Sequence, residues 1–386
     1  MPDPLDLLEI DALLAQEELE IRGAVREFVR ERVLPDVGDW FERAEFPKEM
    51  AKELGALGLL GMHLSGYGAL GANAVSYGLA CMELEAGDSG FRSFVSVQGS
   101  LCMFPIRKYG SEEQKEKFLP RMAAGELIGC FGLTEPDFGS DPTRMRTRAE
   151  RRGDTWVLNG TKMWITNGGI ADIAIVWAHT DEGVRGFLVP TDAGGFSAND
   201  IHRKLSLRAS VTSELVLEDV AVDDSMTLPG VVGMKGPLSC LSEARYGIVW
   251  GAMGAARACL ESALEYSKTR VQFGKPIAAF QLTQEKLANM AVELQKGTLL
   301  ALHLGRMKDE GRLRPDHVSI GKLNNVREAL AIAREARSIL GANGITLEYP
   351  VIRHMNNLES VLTYEGTSEI HTLVIGQALT GERAFD

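Results

Sequence analysis

Cysteine and basic residues are scarce in this sequence, and each shortage excludes a class of protein. Its 386 residues include five cysteines, with no Cys-x-x-Cys pair and no metal-like spacing, so neither a disulfide scaffold nor a zinc site is expected. Lys and Arg number 41 against 53 Asp and Glu, which gives a net charge of -12. That balance argues against nucleic acid as a main partner, because phosphate binding needs clustered cations. It remains compatible with an anionic small ligand, since a site needs only a few local donors.

Long hydrophobic runs are also missing. No uninterrupted apolar stretch approaches the length of a membrane span, and the acidic start, Met1-Pro2-Asp3-Pro4, has neither signal-peptide nor transit-peptide character. We therefore expect a cytoplasmic protein whose cysteines are small buried thiols. With 45% hydrophobic and 24% charged residues, the chain is expected to be globular with substantial cores.

The hydrophobic pattern divides the chain into three regions. Helical periodicity dominates residues 13–125, as in Ile21, Val25 and Phe28. Short β-like segments fill the middle, and helical periodicity returns after Gly236. The predicted fold class is α+β, with domains at residues 1–128, 129–237 and 238–386.

The middle region is predicted to be an antiparallel sheet or a small barrel, because turn residues recur at short intervals. Residues 156–160 and 162–168 are predicted as two short strands around an Asn159-Gly160 turn. No βαβ alternation is visible, so a nicotinamide-type dinucleotide fold is not expected.

The spacing of apolar residues in the last region predicts long helices. One helix is expected to begin near Tyr246 and to end before Gly274 and Pro276. Two apolar stripes follow, in which apolar or small residues recur every three or four positions. The second stripe ends at Gly341 and Gly344. The first consists of Leu287, Met290, Leu294, Gly297, Ala301 and Leu304, and the second of Val326, Leu330, Ala333 and Leu340. Long helices with small residues on one stripe suit a bundle packed against its own copies.

Two stretches of the middle region have side chains suited to a ring cofactor. In residues 130–141, Thr134 and Ser140 place hydroxyls in a Gly/Pro-rich loop, although an ordinary turn explains that composition equally. In residues 164–167, Trp164 and Thr166 share one face of a predicted strand, where an aromatic plane lies beside a hydroxyl. A half-buried tryptophan of a sheet is the structural alternative.

Two further stretches lie in the last region. Arg270, at a predicted helix end, has Gln272 and Gln281 nearby as neutral donors for a diphosphate, although a cation at a helix C-terminus also suits the helix dipole. Glu365 precedes a glycine just before the final apolar segment. Taken alone, neither stretch identifies a site.

Together these stretches resemble the acyl-CoA dehydrogenase family of flavoproteins, in the family's order and over nearly the whole chain. The matching motifs are Thr134-Glu135-Pro136, Gly139-Ser140-Asp141, Trp164-Ile165-Thr166-Asn167, Arg270-Val271-Gln272-Phe273-Gly274, Leu340-Gly341-Ala342-Asn343-Gly344 and Tyr364-Glu365-Gly366-Thr367. The resemblance implies an acyl-CoA dehydrogenase-like fold, with a helical N-terminal domain, a middle antiparallel β domain and a C-terminal four-helix bundle. It also implies one non-covalent FAD per subunit, a homotetramer, and an electron-transferring flavoprotein as electron acceptor.

The resemblance assigns roles to single residues. Glu365 would be the catalytic base, and its backbone N–H would bind the thioester carbonyl. Ser140 and Gly366 would contact the substrate, and Arg245 is a further candidate for substrate binding. Ala342 departs from the family, where a second glycine is usual, and its methyl group hinders close backbone approach. The cofactor-binding residues implied are Phe131, Leu133, Thr134, Ser140, Trp164, Ile165, Thr166, Arg270, Gln272, Phe273, Gln281, Ser338, Gly341, Ala342, Thr367 and Glu369, of which Arg270, Gln281 and residues 338–342 would reach the FAD of a neighbouring subunit.

Glu85 and Arg92 point to the substrate. Their seven-residue spacing allows one helical face, and from spacing alone an internal ion pair is favoured. An arginine in an otherwise apolar acyl pocket would also suit the distal carboxylate of a dicarboxylyl substrate. Residues 88–98 resemble members of the family that act on glutaryl-CoA. The resemblance implies that Arg92, with Ser93 or Ser96, binds the distal carboxylate, that Glu85, Thr166 and Tyr364 tune the site, and that oxidation is followed by loss of CO2 to give crotonyl-CoA.

Several alternatives stay open at this point. A short- or branched-chain acyl-CoA dehydrogenase would keep the flavin motifs and differ around Arg92. An acyl-CoA oxidase would pass its electrons to oxygen. A flavin-bearing scaffold without turnover and a non-redox CoA-binding module are alternatives from another class, and the intact Glu365 speaks against the scaffold.

Overall fold

The computed structural model describes residues 3–384 and confirms the order of helices, sheet and helices. Met1 and Pro2 of the acidic start, together with residues 385–386, lie outside the described residues. The exact limits of the three domains stay a prediction.

The N-terminal region is helical apart from one small hairpin. Two π-helical turns, Val29–Val33 and Val97–Met103, continue helices of this region. Its helices are α1 (Gln16–Phe28), α2 (Val37–Arg43), α3 (Met50–Ala56), α4 (Ala74–Gly87), α5 (Ser89–Ser96), α6 (Phe104–Tyr109) and α7 (Glu112–Ala123), and its hairpin is β1 (Ser65–Gly66) with β2 (Ala69–Leu70).

The middle region is a sheet of seven strands, namely β3 (Gly129–Gly132), β4 (Arg148–Arg152), β5 (Thr155–Thr166), β6 (Ile173–Thr180), β7 (Gly183–Pro190), β8 (Phe196–Asp200) and β9 (Thr212–Asp223). Their order is β3-β6-β4-β5-β9-β8, with β7 paired to β6. The pairings are antiparallel except that β6 runs parallel to β3 and, over one residue pair, to β4. Side chains of β6 alternate between two cores, one shared with the N-terminal helices and one inside the sheet region.

The predicted turn at Asn159-Gly160 is wrong, because β5 runs through it as one strand of 12 residues. The irregularity lies in the partner strand, β9, which has one extra residue opposite Leu158 and Gly160. Asp219 in that bulge has a φ of 51° and accepts a hydrogen bond from the side chain of Asn159. An Asn-Gly pair therefore marks a β-bulge in this chain and not a hairpin.

The C-terminal region consists of long helices packed around α10 (Pro315–Leu340). Its first helix begins at Lys235, earlier than the predicted start near Tyr246, and ends at Thr269 as expected. A small hairpin, β10 (Val271–Gln272) with β11 (Lys275–Pro276), follows it. The helices are α8 (Lys235–Thr269), α9 (Gln281–Asp309), α10 (Pro315–Leu340), α11 (Val351–Thr363) and α12 (Ser368–Thr380).

Glycines allow α4 and α8 to approach closely, and this contact joins the N-terminal and C-terminal regions. A Cβ atom on Gly78 of α4 would lie 2.3 Å from the ring of Trp250, and one on Gly254 of α8 would lie 1.8 Å from the carbonyl oxygen of Met82. Neither position has room for a side chain. The close approach brings Glu85 of α4 beside α8 at the site described next.

Among the described residues, none of the helices is both long and apolar enough to span a bilayer. All five cysteines are free and buried.

Candidate active site

Glu365 lies in the short segment between α11 and α12. It has a φ of 52°, in the left-handed region, and Gly366 beside it has a φ of 99°. A left-handed conformation costs a residue other than glycine about 1–2 kcal/mol, so other contacts must hold this segment. The Oε2 atom of Glu365 is buried and has no hydrogen-bond partner within residues 3–384. A carboxylate without donors is free to accept a proton.

The pKa of Glu365 is raised, chiefly by burial, although the cations Arg92, Lys322 and Arg245 oppose that rise. Burial disfavours the ionised carboxylate, whereas neighbouring cations favour it. A carboxyl group with a raised pKa is a stronger base than an ordinary surface carboxylate. The environment of Glu365 therefore suits proton abstraction.

Two cationic side chains bind the backbone of this segment. Lys322 of α10 donates hydrogen bonds to the carbonyl oxygens of Tyr364 and Gly366, the latter over 2.6 Å. Arg245 of α8 donates its Nε–H to the carbonyl oxygen of Glu365, also over 2.6 Å. Residues 364–367, between α11 and α12, are called the catalytic segment below. Arg245, a candidate for substrate binding, contacts this segment in the structure.

Lys322 was missed by the sequence analysis, although a feature in the sequence could have found it. It lies four residues before Val326 and so occupies the apolar stripe of α10, where it is 1% exposed. A lysine on a buried stripe needs a partner, because an unpaired buried charge is strongly unfavourable. Its partners here are the carbonyl groups on either side of Glu365.

Glu85 and Arg92 form the predicted internal ion pair, with 2.7 Å between Arg92 Nε and Glu85 Oε2. Both side chains are almost completely buried, and Ser89 donates a further hydrogen bond to Glu85 over 2.8 Å. The Nη2 group of Arg92 binds the hydroxyl of Tyr364, whereas Nη1 donates no hydrogen bond within the described residues. Arg92 therefore keeps a free donor although it is paired.

The chain reaches this geometry by breaking its helix at Asp88. Asp88 caps α5 by accepting from the N–H of Gly90 over 2.7 Å, and it is held in turn by Arg353 at 2.6 Å and Asn357 at 2.8 Å.

A Cβ on Gly251 of α8 would lie 2.0 Å from Glu85 Oε2. The Glu85–Arg92 pair therefore requires glycine at that position.

Polar groups of the predicted substrate site surround Tyr364. The Ser93 hydroxyl lies 3.2 Å from the Tyr364 hydroxyl. Ser96 Oγ is buried and lacks a hydrogen-bond partner within residues 3–384. The structure thus brings Arg92, Ser93 and Tyr364 together next to Glu365, while Ser140 lies exposed in the loop after β3.

The loop after β3 is fixed by a buried ion pair that the motif alone did not reveal. Glu135 Oε1 lies 2.9 Å from Lys162 Nζ of β5 and accepts from the Thr147 hydroxyl over 2.6 Å. Burial lowers the pKa of Lys162 to about 8, and Glu135 opposes that shift. Thr134 of the same loop accepts from the N–H of Met163 over 2.8 Å. The loop is thereby held against β5.

Trp164 lies exposed beside this loop because β5 bulges there. Between Lys162 and Ile165, β5 has one residue more than the facing part of β9. The buried side chains of β5 therefore fall on even-numbered residues before this bulge and on odd-numbered residues after it. Trp164 has a φ of 63° and is 61% exposed. The hydroxyls of Thr134 and Thr166 form no hydrogen bonds within the described residues, and both side chains are half-buried. An exposed aromatic plane thus lies near two unpaired hydroxyls. Three other candidates, Phe131, Leu133 and Ile165, are buried.

The remaining predicted cofactor residues divide between two places. Thr367 caps α12 by accepting from the N–H of Ile370, and Glu369 is exposed in the first turn. The others lie exposed around the ends of α8 and α10, namely Arg270, Gln272, Phe273, Gln281, Ser338, Gly341 and Ala342. Arg270 follows Arg245 by 25 positions, about 37 Å along α8 at 1.5 Å per residue. Within one chain, the candidates around the ends of α8 and α10 therefore lie far from Glu365.

Comparisons with known proteins match the whole architecture. Models of the N-terminal, middle and C-terminal domains of acyl-CoA dehydrogenases match residues 15–126, 130–220 and 232–380. An acyl-CoA dehydrogenase of Bacillus subtilis is 36% identical over 379 residues, which cover 95% of this chain and 99% of that protein.

Two solved structures differ in their similarity to this chain. A glutaryl-CoA dehydrogenase from Mycobacterium smegmatis in complex with FADH2 is 67% identical, with a TM-score of 0.98 and 99% coverage of each chain. The butyryl-CoA dehydrogenase from Megasphaera elsdenii is 36% identical, with a TM-score of 0.91, covering 95% of this chain and 98% of that one.

We predict that Lys162→Met destabilises the protein by about 3–5 kcal/mol, because it leaves Glu135 buried without its counter-charge. The double variant Glu135→Gln/Lys162→Met should lose less than Lys162→Met alone. Thermal unfolding measures both, with Arg152→Met on exposed β4 as a control that stays within about 0.5 kcal/mol. Equal stability of Lys162→Met and Arg152→Met would contradict the anchoring role.

Proposed function

This chain belongs to the acyl-CoA dehydrogenase family, and we propose that it oxidises glutaryl-CoA and decarboxylates it to crotonyl-CoA and CO2. The observation that carries the proposal is the buried guanidinium of Arg92, paired with Glu85 yet with one donor free, next to Glu365. The 67% identity to a solved glutaryl-CoA dehydrogenase, against 36% to a butyryl-CoA dehydrogenase, supports the same substrate.

The family's cofactor is FAD, and the residues of the sheet region fit it. The exposed ring of Trp164 offers a plane to stack on, and the unpaired hydroxyls of Thr134 and Thr166 offer hydrogen bonds to ring heteroatoms. When bound, FAD would supply the hydride acceptor for the β-carbon of the acyl group.

Glu365 begins the reaction by removing the α-proton of the thioester. The backbone N–H of Glu365 donates no hydrogen bond within residues 3–384, so it is available to the thioester carbonyl oxygen, where charge develops as the proton leaves. Burial keeps water from Glu365 Oε2. These features lower the barrier to forming an enolate-like transition state.

Arg92 orients the other end of the substrate. Its free Nη1 group, with the Ser93 and Ser96 hydroxyls, would bind the distal carboxylate through charge-assisted hydrogen bonds. After oxidation the γ-carboxylate leaves as CO2, because its bonding electrons delocalise into the unsaturated thioester. Glu365, protonated in the first step, then returns a proton to the γ-carbon to give crotonyl-CoA. The pathway we propose is lysine and tryptophan degradation.

The charges around Glu365 favour an anionic substrate. Three cations, Arg92, Lys322 and Arg245, influence the pKa of Glu365, against a single further carboxylate, Glu85. Burial lowers the pKa of Lys322 to about 7. With Lys322 protonated and Glu365 ionised, this group carries one net positive charge. A distal carboxylate would balance that charge, whereas a short- or branched-chain acyl group would not.

We propose an electron-transferring flavoprotein as the acceptor and a cytoplasmic location. The resemblance to dehydrogenases supports the acceptor, and an oxidase would instead release peroxide with glutaryl-CoA in air. The five free, buried cysteines suit a reducing compartment.

We also propose a homotetramer, because the second group of cofactor residues cannot reach the site in its own chain. Arg270 lies about 37 Å from Arg245 along α8, so its group would serve the FAD of a neighbouring subunit. Phe273 is 95% exposed in the β10–β11 hairpin and Leu282 is 75% exposed nearby in α9. Exposed apolar side chains in and beside residues 270–274 are typical of a surface that another subunit covers.

We predict that Glu365→Gln retains FAD and slows flavin reduction by glutaryl-CoA at least 10²–10⁴-fold, the usual contribution of a general base. Anaerobic stopped-flow absorbance measures the reduction. Glu359→Gln, in the exposed part of α11, is the control and should stay within about twofold of the unmodified protein. Rapid reduction in the Glu365 variant would exclude it as the base.

We predict that Arg92→Met lowers kcat/KM for glutaryl-CoA about 30- to 4,000-fold, corresponding to about 2–5 kcal/mol for a buried charge pair. The value for butyryl-CoA should fall by less than about tenfold. Arg92→Lys keeps the charge without the planar fork, so its kcat/KM for glutaryl-CoA should lie between those of Arg92→Met and the unmodified protein. Equal losses on both substrates would instead indicate a structural role for Arg92.

We predict that Phe273→Asp disrupts assembly, because it buries a charge against the neighbouring subunit. Light scattering after size exclusion should give about four times 42.1 kDa for the unmodified chain and a smaller species, with weaker FAD retention, for the variant. Leu70→Asp, exposed in the N-terminal hairpin, should remain tetrameric. An unmodified chain that is monomeric and holds FAD would refute the shared site.

A further inference from the structure

Lys322 and Arg245 bind three consecutive carbonyl groups of the catalytic segment. The carbonyls of Tyr364 and Gly366 accept from Lys322, and that of Glu365 accepts from Arg245. Since this segment lies between α11 and α12, no helix provides these hydrogen bonds. Two side chains therefore replace a regular backbone ladder.

These bonds determine which way the peptide groups face. A carbonyl and the N–H that follows it share one rigid plane and point in opposite directions. When Lys322 binds the carbonyl of Tyr364, the N–H of Glu365 is turned away from Lys322, and neither that N–H nor the one of Gly366 donates a hydrogen bond within residues 3–384. The same bonds hold the left-handed conformation of Glu365.

The surroundings of the segment are crowded. A Cβ on Gly366 would lie 2.9 Å from Nε2 of His371 and 3.2 Å from Nη2 of Arg245. Lys322 is 1% exposed, so its ammonium group cannot exchange these carbonyls for water. The position of the base is therefore set by Lys322 of α10 together with Arg245 of α8.

We propose that Lys322 is the positioning residue of the catalytic segment, which fixes the Glu365 main chain and supplies a buried counter-charge to its carboxylate. This inference deepens the proposed function and depends on Glu365 being the base. Lys322 acts through Glu365 and does not itself take part in the proton transfer.

The charge of Lys322 has a defined consequence for pH dependence. Removing a cation raises the pKa of a nearby carboxyl group, and only the ionised form of Glu365 can accept the α-proton. Burial lowers the pKa of Lys322 to about 7, and Glu365 opposes that shift, so Lys322 is a cation on the acid side of neutral pH. The acid limb of the rate profile should thus move to higher pH without Lys322. The charged or titratable groups that surround Glu365 are Glu85 of α4, Arg92 of α5, Arg245 of α8, Lys322 of α10, the adjoining Tyr364 and His371 of α12. His371 is neutral in this range, because burial lowers its pKa to about 3.

The test compares Lys322→Met and Lys322→Arg with Lys52→Met, an exposed lysine of α3. In the FAD-loaded proteins, the rate of flavin reduction by saturating glutaryl-CoA is measured from pH 5 to 10. We expect Lys322→Met to move the acid limb upward by at least one pH unit and to lower the plateau rate at least 100-fold, with KM changed less than fivefold. Lys322→Arg should restore much of the pH profile, and Lys52→Met should match the unmodified chain.

Hydrogen exchange of residues 362–369 provides a second readout that needs no turnover. Exchange in this segment should be at least tenfold faster in Lys322→Met, with the rest of α10 unchanged. The double variant Glu365→Gln/Lys322→Met removes the unbalanced carboxylate and supplies the exchange measurement if the single variant does not fold. Unchanged exchange and an unchanged acid limb would overturn the role of Lys322. If glutaryl-CoA fails to reduce the flavin of the unmodified chain, the proposed function falls, and the exchange result alone still decides the role of Lys322.

Discussion

A carboxylate with no hydrogen-bond donor within the described residues, surrounded by two buried cations and one half-buried cation, is the feature on which the rest of this structure depends. Burial raises the pKa of Glu365, while Arg92, Lys322 and Arg245 limit that rise. Each cation is occupied elsewhere, Arg92 by Glu85 and the other two by backbone carbonyls. The arrangement keeps Glu365 basic and close to cations that partly offset the effect of burial on its pKa, yet free of a hydrogen-bond donor that would compete with the incoming proton.

The scaffold places these groups through backbone irregularities more than through regular elements. Glu365 has a left-handed conformation, Trp164 lies in a β-bulge, and α4 and α5 are separated at Asp88. Each irregularity is held by a named interaction, such as Arg353 on Asp88 or Lys162 on Glu135. Strain of this kind persists only where the surroundings over-determine it, which explains why charged side chains bind the backbone or a counter-charge at each of these places.

Much of the fold could be predicted from the sequence because it follows from hydrophobic periodicity and from the glycine and proline residues that end helices. The stripes of α9 and α10 and the end of α8 before Arg270 follow from local patterns. The path of β5 through Asn159-Gly160 could not, because the bulge that accommodates it lies in β9, about 60 residues later. Lys322 shows the same limit, since its place on an apolar stripe reveals that it needs a partner, whereas the partner, the backbone at Tyr364 and Gly366, is fixed only by tertiary structure.

The Glu85–Arg92 pair is informative because it is a poor way to stabilise a protein. Two charges that are 1% exposed or less gain little over well-packed apolar side chains after desolvation, and the pair further requires glycine at position 251. A residue that breaks a local packing rule without a gain in stability indicates a functional site. Glu85 uses only part of the donor capacity of Arg92, so it keeps the guanidinium charged and oriented while leaving one donor for a second carboxylate. On this view the ion pair expected from spacing and the substrate site implied by resemblance are not alternatives, since the first prepares the second.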